Sequence, residues 1–284
     1  MIFFTIFVIL SIWKKKIMRV INLASGSKGN STLIEHNGTS ILIDAGLAMK
    51  ELELRLKKVG ASLDKISAII VSHNHDDHIR SVAKIANKFN ITVYSPMECF
   101  YAPKLSSVDI KNRKNIELDH FYIGDIKIET FEVSHDALKT IGFVFYCDGN
   151  KVGLITDLGY VDELILSKLV GSKLVMIESN YDEQMLLSGP YPLMLKRRIS
   201  SQMGHLSNFD CADAIVKLSL RGTKHFMLMH LSETNNSPEI AYNTVMRNLY
   251  DCYGDNNDVR VMIAEQYDVS PNFLFKHREE GDVC

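Results

Sequence analysis

No two cysteines of this chain stand close enough to form a Cys-x-x-Cys pair; the five, Cys99, Cys147, Cys211, Cys252 and Cys284, are scattered and odd in number. That spacing supports neither a disulfide framework nor a zinc ribbon, so the thiols read as buried or incidental groups of a reducing compartment. An excess of positive charge is also missing. With 32 Lys and Arg against 34 Asp and Glu, the formal charge is −2, and no global basic field is available to hold nucleic acid. Such a partner has to be gripped by a local patch or through bound metal. There is no internal repeat and no low-complexity linker. A bilayer-spanning run is absent as well, since the apolar stretch from Met1 to Trp13 is too short to cross comfortably and its lysines, Lys14 to Lys16, follow it where a secretory signal would place them before. A short anchor is one reading of residues 1–17; an upstream extension ahead of a natural start at Met18 is the simpler one.

What is present is an ordinary globular composition, 46% apolar and 23% charged, in a chain of 284 residues that can bury a sizeable core. From residue 18 short β-like runs alternate with turn signals. Arg19–Leu23 is a strand candidate, Ser25 to Ser31 a glycine-rich turn, and Thr32–Glu35 with Ser40–Ile43 a hairpin closed through Asn37-Gly38. Leu47–Val59 has helical spacing with Gly60 as its stop, Ile66–Val71 reads as a buried strand and Ile79–Phe89 as one helix. Strands are expected near 91–94, 126–133, 141–147 and 152–155, with Asp148-Gly149 as a tight turn. Beyond Val161, helices (161–170, 193–199, 209–218, 238–250) alternate with strands (174–177, 225–229, 259–263). The pattern predicts an α/β fold: one domain over residues 18–284, built of two sheets flanked by helices.

The densest chemical signal is Val71-Ser-His-Asn-His-Asp-Asp-His78, which places three histidines and two aspartates in six consecutive positions after an apolar run. Desolvating five such groups at the end of a buried strand requires water or a cation to balance them. A metal site is the economical reading. Alternation along an extended segment lets His73 and His75 point one way while Asp77 and His78 turn toward a second position, and two adjacent cations use donors that one would leave idle.

Four other β-like runs end in a ligand-type residue, at His135, Asp157, Glu178 and His230. Ligands at strand ends let a rigid sheet hold a site open at one edge. In this order, His73-x-His75-x-Asp77-His78, His135, Asp157 and His230, preceded by Leu42-Ile-Asp-Ala-Gly46, resemble the five motifs of the metallo-β-lactamase superfamily. The resemblance implies an αββα sandwich of two mixed β-sheets flanked by helices. It also implies that His73, His75 and His135 bind one metal, that Asp77, His78 and His230 bind another, that Asp157 bridges them and that Asp44 buttresses the loop. Such nitrogen and oxygen donors suit two divalent ions, zinc or manganese, with iron tolerated. A metal pair lowers the pKa of a bridging water from about 15.7 toward about 7, which makes hydrolysis the natural reaction. Asp77 is placed to take up that water's proton.

The ligands do not separate lactam, thioester and phosphodiester cleavage. Gly204-His-Leu-Ser-Asn208 ahead of the last ligand resembles an element of the nucleic-acid-processing branches, in which the extra histidine acts near the leaving group beside an acid. Glu178 in Glu178-Ser-Asn-Tyr-Asp182 is similar to that acidic motif, although Asn180 and Asp182 depart from it. His205 and Glu178 are therefore expected to be catalytic with Asp77. Lys28, Lys196, Arg197 and Arg198 are candidate phosphate contacts, and Tyr181 and Tyr191 the candidate stacking aromatics. Asp157 and His230 stand too close in sequence for the inserted domain of the β-CASP nucleases, and no Gly/Pro-rich protruding arm like that of transfer-RNA processing enzymes is visible. Ala24 to Ser31, Gly189 to Ser200 and His230-Leu-Ser-x-x-Asn-Asn236 resemble the YycJ/WalJ-type group of compact bacterial members. What this implies is a cytoplasmic exonuclease acting on DNA from the 5′ end and linked to repair, with RNA also admissible as a partner and no stable membrane partner. A small-molecule hydrolase of the glyoxalase II or lactonase type shares the ligands without needing His205 or a basic rim.

Overall fold

The computed structural model describes residues 17–117 and 119–276. Apart from Ile17, the expected N-terminal extension lies outside these residues, as does Cys284. Two mixed seven-stranded sheets fill in chain order. The first runs β1 (Ile17–Ala24), β2 (Ser31–His36), β3 (Thr39–Ile43), β4 (Ala68–Ile70), β5 (Thr92–Ser95) and β6 (Arg113–Asn115), with β14 (Phe273–Lys276) added beside β1. The second runs β7 (His120–Ile123), β8 (Ile126–Glu132), β9 (Ile141–Cys147), β10 (Asn150–Ile155), β11 (Leu174–Glu178), β12 (His225–Met229) and β13 (Arg260–Ile263). Each begins as an antiparallel meander and continues as parallel strands: β3 to β6 in one sheet, β10 to β13 in the other. The two halves repeat a topology that leaves no repeat in the sequence, because packing asks only for apolar character at each position.

Parallel strands need crossovers, and these supply the outer layers. Helices α1 (Met49–Lys58) and α3 (Val82–Phe89) cover the first sheet. Helices α4 (Glu163–Leu169), α7 (Asn208–Leu220) and α8 (Pro238–Tyr253) cover the second. Strand alternation sorts the side chains. Ile41 and Ile43 of β3 meet Phe143 and Phe145 of β9 between the sheets, whereas Leu42 faces Leu52 and Leu56 of α1. Val144, also facing outward, packs with Ile165 of α4 and Ile215 of α7. The αββα sandwich expected from the sequence is present.

One local expectation is corrected. The helix expected over 79–89 is divided into α2 (Asp76–Ile79) and α3, because Ser81 is held by its neighbours: its N–H donates to Ala45 O and its hydroxyl to Leu47 O at 2.6 Å. Strands β6, β7 and β14 and the short helix α5 (Glu183–Ser188) were not anticipated; each of these strands has only three or four residues, too few for a pattern to read. Among the described residues no helix is long and apolar enough to cross a membrane.

Candidate metal centre

Strands β3, β4, β8, β10, β11 and β12 all end at the same edge of the sandwich, and each delivers a polar residue there. Asp44 follows β3, Asp157 lies just beyond β10 and His230 follows β12; all three take the left-handed backbone conformation, with φ of 59°, 58° and 54°. This conformation is uncommon for any residue but glycine, although aspartate and histidine enter it more readily than most, and it costs on the order of 1–3 kcal/mol per residue. The chain turns sharply there and aims each side chain into the cleft.

The structure brings together His73, His75, Asp77, His78, His135, Asp157 and His230. Potential donor atoms of His73, His75 and His135 lie within 4.8 Å of one another, and so do those of Asp77, His78 and His230. Asp157 sits between the groups: Oδ2 is 3.1 Å from His78 Nε2, while Oδ1 is 3.8 Å from His135 Nε2 and 3.4 Å from His230 Nδ1.

Neighbours fix the imidazole tautomers. His78 Nδ1–H donates to Asp44 Oδ2 at 2.7 Å, His135 Nδ1–H donates to the Gly204 carbonyl at 2.8 Å, and His73 Nδ1 faces Ser72 Oγ at 3.0 Å. When each ring is neutral, Nε2 is therefore its lone-pair nitrogen. For His73 that atom is buried without a hydrogen-bond partner. An orphaned buried nitrogen costs about 1–3 kcal/mol unless something coordinates it, so this donor set fits a cation. Asp44 also accepts from the Ser72 backbone at 2.8 Å and its hydroxyl at 2.7 Å, anchoring the whole histidine loop.

Charge is strongly coupled here. Burial opposes ionisation of Asp157, but His230 and His78 overcome it and hold the carboxyl well below the usual range. Burial likewise disfavours charge on His78 and His230, yet Asp157, with Asp44 on the former and Asp77 on the latter, pulls both well above 6.5. His73, enclosed and beside His78, moves the other way. For Asp77 the cost of burial is outweighed by His78 and His230, which keep it ionised.

His205 and Glu178 meet beside Asp157. His205 Nδ1 is 2.9 Å from Glu178 Oε1 and 3.7 Å from Asp157 Oδ1. Glu178 is fully buried, and its Oε2 accepts from the backbone of Leu158 and Leu206 at 3.0 and 3.1 Å. Burial lowers the His205 pKa, but Glu178 and its hydrogen bond raise it by more, to above 6.5. The element around His205 is fully used: Gly204 orients His135, Leu206 holds Glu178, and Ser207 caps α7 by accepting from Asp210 N at 3.0 Å.

The basic candidates fare differently. Arg198, on α6 (Leu193–Ile199), pairs with Asp136 Oδ2, whose other oxygen is 3.5 Å from His135 Nε2. Lys196 and Arg197 line a groove of about 490 Å³ with Leu186, Leu187 and Leu193. Lys28 is engaged by Glu233 at 2.9 Å and by the Tyr267 hydroxyl at 2.6 Å. Tyr181 is a poor stacking platform, because only 6% of it is exposed.

Residues not anticipated include Asn30, whose Nδ2 lies 3.2 Å from Asp77 Oδ2 and 2.9 Å from His78 Nε2, and Asp136. A polar residue inside the glycine-rich turn was the available signal for Asn30; Asp136 was legible only as the residue after His135. Asn180 and Asp182 also have work. Asn180 Nδ2 donates to His230 O at 2.7 Å, and Asp182 caps α5. Asn236 donates to the carbonyls of Ser179 and Asn180 at 2.9 and 3.0 Å, tying the loops after β11 and β12 together.

Residues 39–231 match the family model of the beta-lactamase superfamily domain. The chain is 36% identical to exodeoxyribonuclease YycJ of Bacillus anthracis over 222 residues, covering 77% of this chain and 84% of that protein. It is also 36% identical to exodeoxyribonuclease WalJ of Streptococcus pneumoniae over 256 residues, covering 88% and 93%. Among solved structures, the metallo-β-lactamase fold protein YhfI from Bacillus subtilis superposes with a TM-score of 0.68 at 16% identity, over 90% of this chain and 99% of that one, a likeness of fold.

Proposed function

The chain belongs to the metallo-β-lactamase superfamily, and on that premise we propose that it is a metal-dependent exodeoxyribonuclease, digesting DNA from the 5′ end in the cytoplasm in the service of repair. The observation that carries this reading is the His205–Glu178 pair, 2.9 Å apart at the lip of the histidine cluster. A thioester hydrolase expels a thiolate, which leaves without a proton donor there. A phosphodiesterase has to protonate a departing sugar oxygen.

In this reading residues 18–284 act as one catalytic domain. His73, His75 and His135 would hold one divalent ion and Asp77, His78 and His230 another, with Asp157 available to both groups. Zinc or manganese suits these donors, iron also, and the pair would supply an activated water and a hold on the phosphoryl oxygens. Asn30 orients the Asp77 carboxylate, which accepts a proton. Glu178 fixes His205 through Nδ1, leaving Nε2 to protonate the leaving oxygen, a contribution of typically about 10²–10⁴-fold. Arg198, steered by Asp136, with Lys196 and Arg197 on the same helix, grips the strand's phosphates beside the groove. Lys28, already engaged by Glu233, contributes less.

The test is digestion of end-labelled, 5′-phosphorylated DNA with Mn²⁺ or Zn²⁺, with an RNA oligonucleotide in parallel. Shortening from the 5′ end is expected, with most of it lost in Asp77→Ala and His205→Ala. Inactivity on polynucleotides with every metal, together with turnover of a thioester or lactone, would establish the small-molecule hydrolase instead.

A further inference from the structure

At the end of the sandwich remote from the metal centre, two hairpins from different sheets face each other. Strands β3 and β10 end at the metal centre, so the turns that start them, Asn37-Gly38 and Asp148-Gly149, lie at the opposite edge. His36 closes β2 in the first sheet, with its side chain fully enclosed and neither ring nitrogen hydrogen-bonded. Cys147 closes β9 in the second sheet and is also buried. Asp148, in the left-handed conformation at φ 47°, brings Oδ2 to 3.3 Å from His36 Nε2. One donor atom from each of His36, Cys147 and Asp148 lies within 4.8 Å of the other two.

We propose that His36, Cys147 and Asp148 form an additional divalent-cation site, of a thiolate, imidazole and carboxylate type suited to Zn²⁺, that clasps the two sheets together away from the reaction.

Three features carry this assignment. The enclosed His36 ring makes no hydrogen bond, its Nε2 meeting Asp148 only at 3.3 Å; a buried nitrogen left without a hydrogen bond costs about 1–3 kcal/mol, and coordination recovers part of that cost. Cysteine sulfur, histidine nitrogen and aspartate oxygen are each zinc ligands, and three of them leave the fourth position open to water; Asp148 keeps 31% of its side chain exposed, which gives that position a route to solvent. The local field also favours a cation. Asp148 and Asp125 place negative charge beside Cys147, and that charge attracts a metal ion. On binding, the S–H bond breaks, its proton passes to solvent and a sulfur–metal bond forms. Among the described residues no other cysteine stands in such a group. Because His36 belongs to one sheet and its two partners to the other, the ion would link layers otherwise held at this end by side-chain packing and by contacts such as Asn37 Nδ2 to Asp125 Oδ2 at 3.0 Å.

Cobalt titration of the full-length protein, stripped of metal, tests the site independently of nuclease activity. Only a sulfur ligand gives intense thiolate-to-cobalt charge-transfer absorption in the near ultraviolet, and the catalytic cluster contains no cysteine. The expected result is a band that reaches saturation in the unmodified chain, persists in His73→Ala and disappears in Cys147→Ala, where zinc content falls by about one ion per chain. His36→Gln is expected to weaken cobalt binding by at least about 10-fold. Should that variant fail to fold, Asp148→Asn serves the same purpose, since asparagine tolerates the left-handed turn. Absence of the band in the unmodified chain, or a band and metal content unchanged in Cys147→Ala, would overturn the assignment.

Discussion

His205 and His230 both donate through Nδ1 to one oxygen, Oε1 of Glu178, at 2.9 and 2.7 Å. One buried carboxylate thus orients both a metal-ligand candidate and the proton-donor candidate. In the proposed reading, one atom positions both the leaving-group acid and the metal ligand.

The pH dependence follows from this sharing. The Glu178 charge holds the His205 pKa above its ordinary 6.5, so the imidazolium is present below that raised value and lost as pH rises through it. The basic limb of kcat/KM is therefore expected above pH 6.5. Glu178→Gln removes the charge and should move that limb to lower pH while reducing kcat by about 10²–10⁴-fold. A pH–rate profile in which the limb stays in place would show that His205 is not the group titrating.

Asp44 acts through the histidine loop. Asp44→Ala strips the acceptor from His78 Nδ1 and from both donors of Ser72, so ring orientation is lost without removal of a proposed ligand. Metal affinity, measured by competition with a chelator, should fall by about 10–100-fold.

Gly46 marks where two loops touch. A Cβ there would lie 1.5 Å from the Asp77 carbonyl oxygen and 2.8 Å from Asn30 N, both backbone atoms that cannot swing aside. Gly46→Ala should destabilise the fold by about 3 kcal/mol or more in denaturant titrations and should displace Asp77. Unchanged stability would mean that this loop is far more yielding than its hydrogen bonds indicate.

Arg198 is the basic residue with a link to the centre, through Asp136. Arg198→Ala should raise KM for DNA across sequences and reduce the slope of log binding constant against log salt by about 1, as loss of one phosphate contact requires. A fall in kcat at unchanged KM would instead place Arg198 at the transition state.

Much of this was open to reading in the chain. The strand-end positions of Glu178 and His230 follow from apolar runs that terminate in one polar residue, those of Asp157 and His135 from β-like runs leading into polar turns, and the Asn37-Gly38 and Asp148-Gly149 hairpins from residues that accept positive φ. The division of α2 from α3 was not legible, because it depends on Ser81 bonding to a loop far away in sequence. Nor was the engagement of Lys28 with Glu233, two residues 205 positions apart.

The sequence by itself determined which groups bear chemistry and the order in which the strands deliver them, since side-chain type and strand periodicity are local properties. Only the tertiary structure decided which of those groups share an edge. Sheet order placed Glu178 between His205 and His230, and it brought His36 from one sheet against Cys147 and Asp148 of the other. Such pairings depend on how two separately formed layers stack, and no local pattern in the chain encodes that distance.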